Sequence, residues 1–457
     1  MKKLIVALTM LTMFFSFAGC SEKSNQTDGE GDNAKDVDFS IVNERGLNCS
    51  NEKGYYYIGE DSIPLKNASV GYRMMYMDYE TKKEIYLCNR PGCEHDSENC
   101  PAVFSDQEIL PGSSLFYYDG YLYLFAHDQD QSGGWSIDHN GSSDAMDGDN
   151  TAFVSTPASL YRMNPDGTDR KKVYTFDEAL SLEDLVMASG DSLYFITKKV
   201  SSKEVDDQTT YFASSEREFV SLGLRDWKIR EVCELDTDAS IIGAFGNHLV
   251  MQQTIFDHEL SDKEIMDDNQ YIDAYQKSYA SFAVLNITDG KTEEVAKAEN
   301  KKINTYEVAG DCLYLSTEGE NKIEQINLQT KKKRTLAETA DSCIDEAYDD
   351  VLRCSSWSAE DGEKTDFTMC FVNLQDGSIE KSGLKMTSME GDIQIRAELA
   401  DQFLVLYDYD AKKDLMYEGQ YNLNGAKYAL ISKKDLYTGK PNYQTIDLIS
   451  SGMGIFE

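Results

Sequence analysis

The chain has 457 residues, with 81 acidic side chains against 44 basic ones and a formal net charge of −37. Hydrophobic residues at 41% and aromatics at 11% suffice for a packed core, which argues against a disordered chain. A surface this acidic repels phosphate backbones and anionic headgroups, so nucleic acid is not among the expected partners.

At the N-terminus, Lys2 and Lys3 precede an apolar run from Leu4 to Phe17. That run is too short to span a membrane comfortably and suits the hydrophobic part of a signal peptide. Ala18 and Gly19 then lead to Cys20. These residues resemble a bacterial lipoprotein signal, with Phe17 standing where Leu is usual. The resemblance implies a signal peptide over residues 1–19, cleavage before Cys20, acylation of the Cys20 thiol (palmitate and its like) and anchorage at the outer face of the cell membrane. By the same resemblance, Ser21 permits sorting to the outer membrane in a diderm host. The alternative is a plain secretory peptide with Cys20 a bystander. No later stretch approaches the ~20 apolar residues of a second span. Residues 21–38 hold no aromatic residue and only Ala34 and Val37 as aliphatic ones. The segment 20–38 therefore reads as a lipidated cysteine with a flexible acidic tether, ahead of a folded domain over 39–457.

Within that domain a phrase recurs: a small or acidic turn, then a Leu-Tyr-like pair. It appears as Asp119-Gly120-Tyr121-Leu122-Tyr123, Gly190-Asp191-Ser192-Leu193-Tyr194, Gly246-Asn247-His248-Leu249-Val250 and Gly310-Asp311-Cys312-Leu313-Tyr314. Looser copies are centred on Tyr56, Leu352 and Phe403. Gly, Asp and Asn accept the positive φ of a tight turn, and Leu, Tyr and Phe suit a half-buried pleat, so each phrase predicts a turn entering a strand. A second phrase follows in most units: an apolar strand, Asn or Asp, and a polar turn. Examples are Tyr161 to Gly167, Val284 to Gly290 and Phe371 to Gly377, whose Asp-Gly pairs signal hairpins. Two hairpins per unit make a four-stranded sheet, and about seven such sheets in series make an all-β β-propeller. The phrases resemble blades of low-density-lipoprotein-receptor and Tol-system propellers. Two stacked β-sandwiches are the rival architecture. Ring closure calls for a shared blade, and residues 39–45 are the expected closing strand. Inserts near 126–158 and 257–279 interrupt the repeat; Ser261 and Glu264 in the second form a capping-box pattern that predicts a short helix.

The densest chemical cluster is Cys88, Cys93, His95 and Cys100. Three thiols and an imidazole match a Cys3His zinc site, although the gaps differ from a short Cys-x-x-Cys turn. A small disulfide-stapled loop, natural outside the cytoplasm, is the leading reading, ahead of a metal site, with free thiols the third alternative. The phrase resembles one in lipid-anchored surface proteins of Gram-positive bacteria, which implies location and not chemistry. Setting Cys20 aside leaves nine cysteines, an odd number, so at least one thiol stays unpaired within a chain. Cys354 and Cys370 are placed to face each other across a hairpin, and with Cys312 they read as buried thiols. Asp128, Asp130 and Ser132, followed by Gly133, open like a calcium loop, but His139 stands where the bidentate Glu belongs, so a solvated acidic loop is the competing reading.

Catalytic signatures are lacking: there is no Gly-x-Ser-x-Gly elbow, no His-Glu-x-x-His and no phosphate-binding Gly-Lys-Ser/Thr loop. Ser378 and Lys381 satisfy Ser-x-x-Lys only inside a predicted hairpin turn. These features point to a membrane-anchored extracytoplasmic propeller that binds a protein, peptide or glycan without catalysis. A propeller glycoside hydrolase or lyase is the alternative, marked by two carboxyl groups converging at the central funnel. A metal- or redox-responsive module built on residues 88–100 is the third reading.

Overall fold

A computed structural model describes residues 37–455, apart from 44–45, 67–68, 128–134, 138–156, 177–180, 207–208, 237, 262–263, 266, 319, 340–341, 359–365, 390 and 414–420. Cys20, most of the expected tether, and Asp128, Asp130 and Ser132 lie outside the described residues. Seven antiparallel sheets follow one another along the chain, each built on four consecutive principal strands. Blade one comprises Asn48–Ser50, Gly54–Ile58, Val70–Asp78 and Lys83–Tyr86, and blade two Ser114–Tyr118, Tyr121–Ala126, Ser159–Met163 and Lys171–Thr175. Blade three runs through Ser181–Ser189, Ser192–Asp206, Thr209–Gly223 and Ile229–Glu234, and blade four through Ala239–Phe245, His248–Ile255, Tyr279–Asn286 and Thr292–Glu299. Blade five is formed by Ile303–Ala309, Cys312–Thr317, Lys322–Asn327 and Lys333–Glu338. Ser342–Ala347, Val351–Ser358, Asp366–Asn373 and Ile379–Ser382 make blade six, and Gln394–Glu398, Gln402–Lys413, Tyr421–Ser432 and Gln444–Thr445 make blade seven.

The seven Leu-Tyr anchors, Tyr56, Leu122, Leu193, Leu249, Leu313, Leu352 and Phe403, all fall on second strands, and all are buried. The Asp/Gly phrases before them are the hairpins joining first to second strands. Cores form between blades rather than within them. Phe116, Phe125, Leu193 and Phe195 close the seam of blades two and three, and Val250, Phe282, Leu313 and Leu315 that of four and five. Each blade is apolar on both faces, which is why it is stable only when flanked.

The ring does not close as the sequence suggested. Residues Ser40–Asn43 pair with the first strand of blade three, Ser40 opposite Ala188 and Ile41 opposite Met187, on the edge away from the second strand. The Phe39 amide donates to Gly246 O (2.8 Å) and the Leu115 amide to Gly46 O (2.9 Å). The N-terminal segment therefore crosses the inner strands of blades four, three and two before entering blade one. Its apolar residues satisfied the sequence pattern of a strand, but a strand's pattern does not name its partner. Closure is made instead by residues 446–455. The amide of Asp447 donates to Lys82 O (2.9 Å), that of Glu84 to Asp447 O (2.9 Å), and that of Ile455 to Ile58 O (2.9 Å). Behind these bonds an apolar seam joins Tyr55, Tyr57 and Met77 of blade one to Phe403 and Tyr428 of blade seven.

The first insert carries the short strand Trp135–Ile137, which pairs with Thr209–Tyr211 of blade three. In the second, Ser261 and Glu264 do form the capping box, the Ser261 amide donating to Glu264 Oε2 (2.9 Å). The longer helix, Asp268–Lys277, starts just beyond it and is capped by Asp267. Among the described residues no helix is long and apolar enough to cross a membrane.

Candidate functional site

Two places gather chemistry. The first is the loop between blade one and blade two. Arg90-Pro91-Gly92-Cys93 is a turn in which Pro91 presets φ and Gly92 takes φ +70°, closed by the Cys93 amide on Arg90 O (3.3 Å). A further turn brings the Cys100 amide onto Ser97 O (2.9 Å). His95 sits in the left-handed region at φ 54°, a conformation that costs a non-glycine residue about 1 kcal/mol and persists where surrounding contacts impose it. The Arg73 Nε donates to His95 O (2.8 Å), and the imidazole lies against the Tyr86 ring at 4.7 Å.

Folded this way, the ligand atoms of Cys88, Cys93, His95 and Cys100 all lie within 4.8 Å of one another, and the set can hold a metal ion. His95 Nδ1 is 3.4 Å from Cys100 Sγ. The His95 backbone N–H, ahead of the neighbouring thiols and Arg90, holds the Cys93 thiol below its ordinary range. Burial pushes Cys100 up to about 12, and burial followed by the Arg73 guanidinium keeps the His95 imidazole below its usual value. All nine described cysteines are free thiols. Cys354 and Cys370 do face each other across a hairpin, both buried.

The loop is fastened to blade two. Asn89 Nδ2 donates to Asp166 Oδ2 (3.0 Å), and Arg170 Nη1 donates to Pro101 O (3.3 Å) and Val103 O (2.6 Å). Gly167 approaches so closely that a Cβ there would sit 2.4 Å from Leu87 O.

The second place is a cavity of about 830 Å³ where the first strands and their hairpins in blades five, six and seven meet. Six carboxylates line it: Glu307, Asp311, Asp345, Glu346, Asp349 and Glu398. Several are fixed by partners. Asp311 accepts from Asn327 Nδ2 (2.8 Å), Asp345 from Ser355 Oγ (2.6 Å), and Glu398 from the Asp349 amide (3.1 Å) and from Lys433. Arg353 lies 3.5 Å from Asp345 and 3.8 Å from Glu346. Tyr348 donates to Glu346, and burial followed by that carboxylate raises its phenol well above the ordinary value. The cavity lining thus holds six carboxylates and, among the described residues, no Lys, Arg or His.

Sequence reasoning did not single these acids out, yet a signal exists. Glu307 and Glu346 stand six residues before their blade anchors and Glu398 five before, whereas the residues six before the anchors of blades one to four are Ser50, Phe116, Met187 and Gly243. Among the described histidines outside the cluster, His127 packs edge-on to Phe125 at 5.5 Å, His248 stacks on Phe245 at 4.9 Å, and His258 lies between Asp257 and Glu264.

No protein-family model matches the sequence, and neither does any curated protein. Among solved structures, the chain is similar to puromycin hydrolase as its S511A mutant complexed with PGG, at 10% identity over 88% of this chain and 53% of that one (TM-score 0.43). It is also similar to oligogalacturonate lyase in complex with manganese, at 11% identity over 84% of this chain and 86% of that one (TM-score 0.35). A third is TolB from Acinetobacter baumannii, at 10% identity over 83% and 77% (TM-score 0.31). The chain spans about half the length of the hydrolase it matches.

Proposed function

We propose that this protein is an extracytoplasmic binding propeller, held at the outer face of the cell membrane by a lipid on Cys20. In this reading it takes basic side chains of a peptide or protein partner into the acid-lined cavity of blades five to seven and catalyses nothing. The observation that carries it is the cavity itself. Its size is that of a small-ligand or peptide-anchor pocket. Its six carboxylates, in a lining without a basic side chain, favour a cationic occupant, and the net charge of −37 steers such a partner toward it. Hydrogen bonds from Asn327, Ser355 and the Asp349 amide hold the carboxylates in place before a ligand arrives, which supports recognition. The Asp38 amide donates to Ser189 Oγ (3.0 Å), beside a hairpin between first and second strands, so Asp38 lies at the face where the equivalent hairpins line the cavity.

Titration calorimetry of the full chain with a Lys/Arg-rich peptide, an acidic peptide and a neutral oligosaccharide tests this reading. Binding of the basic peptide should weaken about fivefold or more, about 1 kcal/mol, in a Glu307→Gln/Glu346→Gln variant. It should hold in Glu231→Gln/Glu338→Gln, which neutralises two exposed acids on outer strands. Equal weakening in both variants would reduce the effect to general charge attraction. Turnover of a glycan, abolished by one cavity carboxylate change, would replace binding with catalysis.

A further inference from the structure

We infer that Cys88, Cys93, Cys100 and the Nδ1 of His95 bind one Zn2+ ion, and that this ion locks the loop joining blades one and two. The inference is independent of what the acid-lined cavity binds.

The donor geometry is the first ground. In a tetrahedral zinc–thiolate site with Zn–S near 2.3 Å, the sulfurs stand about 3.8 Å apart. The four donors here already lie within 4.8 Å of one another, and a small adjustment around a cation brings them to that spacing. Spacing along the chain does not resemble a zinc knuckle, but the two turns at Arg90–Cys93 and Ser97–Cys100 fold it back so that sequence gaps cease to matter.

The second ground is what the loop lacks. From Cys88 to Asn99 no residue is buried, and the half-buried ones are Cys88, Cys93, His95 and Ser97. The loop has no aliphatic interior of its own, and its interior is sulfur and imidazole. A segment of this length without an apolar core needs another source of cohesion to offset its conformational entropy. His95 is also held in the left-handed region, with its Nδ1 3.4 Å from Cys100 Sγ.

The third ground is the surrounding shell. The backbone N–H of His95 faces the Cys93 sulfur and that of Ala102 faces the Cys100 sulfur, each two residues on, as donors that favour thiolate. Zn2+ with three thiolates and a neutral imidazole carries one net negative charge, and Arg73 and Arg90 stand beside it. Binding forms three Zn–S bonds and one Zn–N bond, and the thiol protons pass to solvent, with no change of oxidation state. Nδ1 coordination leaves Nε2 free to keep its proton.

Metal binding then reaches the ring. The loop carries the Asn89 contact to Asp166 and leads into Pro101 and Val103, whose carbonyls hold Arg170 of blade two. A metal-locked loop therefore braces the junction of blades one and two, a different seam from the closure between blades seven and one.

The test uses the full chain extracted in detergent and purified without chelator. Elemental analysis should find one zinc per chain, and alkylation mass should show three thiols that become reactive only after chelation. Cobalt exchange should give the visible bands of a tetrahedral thiolate site. Cys93→Ser and His95→Gln should each lose at least most of the metal, while Cys233→Ser keeps it. Metal-free protein with two of the three thiols joined as a disulfide, metal-free protein with all three open to alkylation, or undiminished zinc in both variants would each overturn the inference. Where a variant fails to fold, the wild-type metal content and thiol protection decide alone.

Discussion

Closure of the ring by a tail rather than by a shared blade makes Glu84 a decisive residue. Its carboxylate, 2% exposed, accepts from the amides of Ile449 (2.7 Å) and Ser450 (2.9 Å), from Ser450 Oγ (3.0 Å) and from the Tyr57 hydroxyl. Glu84→Ala leaves two backbone donors and a phenol facing a void. An unsatisfied buried donor costs about 1–3 kcal/mol, and removing the acceptor of a buried charged network costs about 3–5 kcal/mol in all, since the losses are not additive. The tail can limit the cost by lifting into water, in which case the seam between blades seven and one opens. Glu84→Gln keeps one acceptor oxygen and loses the charge, so about 1–2 kcal/mol is expected. Urea unfolding followed by fluorescence measures the first quantity, and limited proteolysis with mass detection of the fragment beyond residue 445 measures the second. Tyr57→Phe should couple to Glu84→Ala in a double-mutant cycle, because both remove the same bond. A loss below about 1 kcal/mol for Glu84→Ala, with unchanged release of the tail, would refute the assignment of closure to this segment.

Further outcomes follow from other sites. Burial opposes the charge on Asp408, but hydrogen bonds from Ser388 and Thr387 outweigh it and hold the carboxyl well below the usual range. A folded-state value below the unfolded one gives stability that is present above pH ~4 and lost as pH falls toward the folded value. Asp408→Asn should therefore flatten the acid limb of a stability–pH profile, and an unchanged limb would contradict that role. Gly167→Ala, with φ +79° and a Cβ 2.4 Å from Leu87 O, should cost at least about 2 kcal/mol in urea unfolding through strain and the displaced seam. In chelated, reduced protein near neutral pH, iodoacetamide should modify Cys93 well ahead of Cys100, because one thiol is held below and the other pushed above the ordinary range; equal rates by mass spectrometry would contradict the shifts.

The repeat was legible because it is written in residues that do one physical job. A turn glycine or aspartate followed by Leu-Tyr marks entry to a second strand, and all seven anchors sit there. Four-stranded blades followed from the paired hairpin phrases. What the sequence could not disclose was partnership. Phe39 to Asn43 has the apolar character of a strand, but blade three, not the final blade, supplies its partner. The true closing segment, around Asp447 to Ile455, has no alternating pattern, because it is held by scattered backbone bonds and by Glu84 from a distant hairpin. The Cys/His cluster was visible as composition within a short stretch, whereas its convergence depends on turns at Gly92 and His95. The acid-lined cavity was the least legible feature. Its carboxylates come from three blades, and only a comparison of equivalent positions before each anchor reveals that blades five and six carry an acid there, while in blade seven the acid, Glu398, stands one residue nearer its anchor.

The proposed binding site is tested most directly by hydrogen exchange of the full chain with and without a Lys/Arg-rich peptide at saturating concentration. The account predicts slower exchange confined to the amides of residues 307–312, 345–349 and 398–402, the strand ends and hairpins around the cavity. Protection located instead in the inserts near 126–158 or 257–279, or spread evenly over the acidic surface, would contradict it.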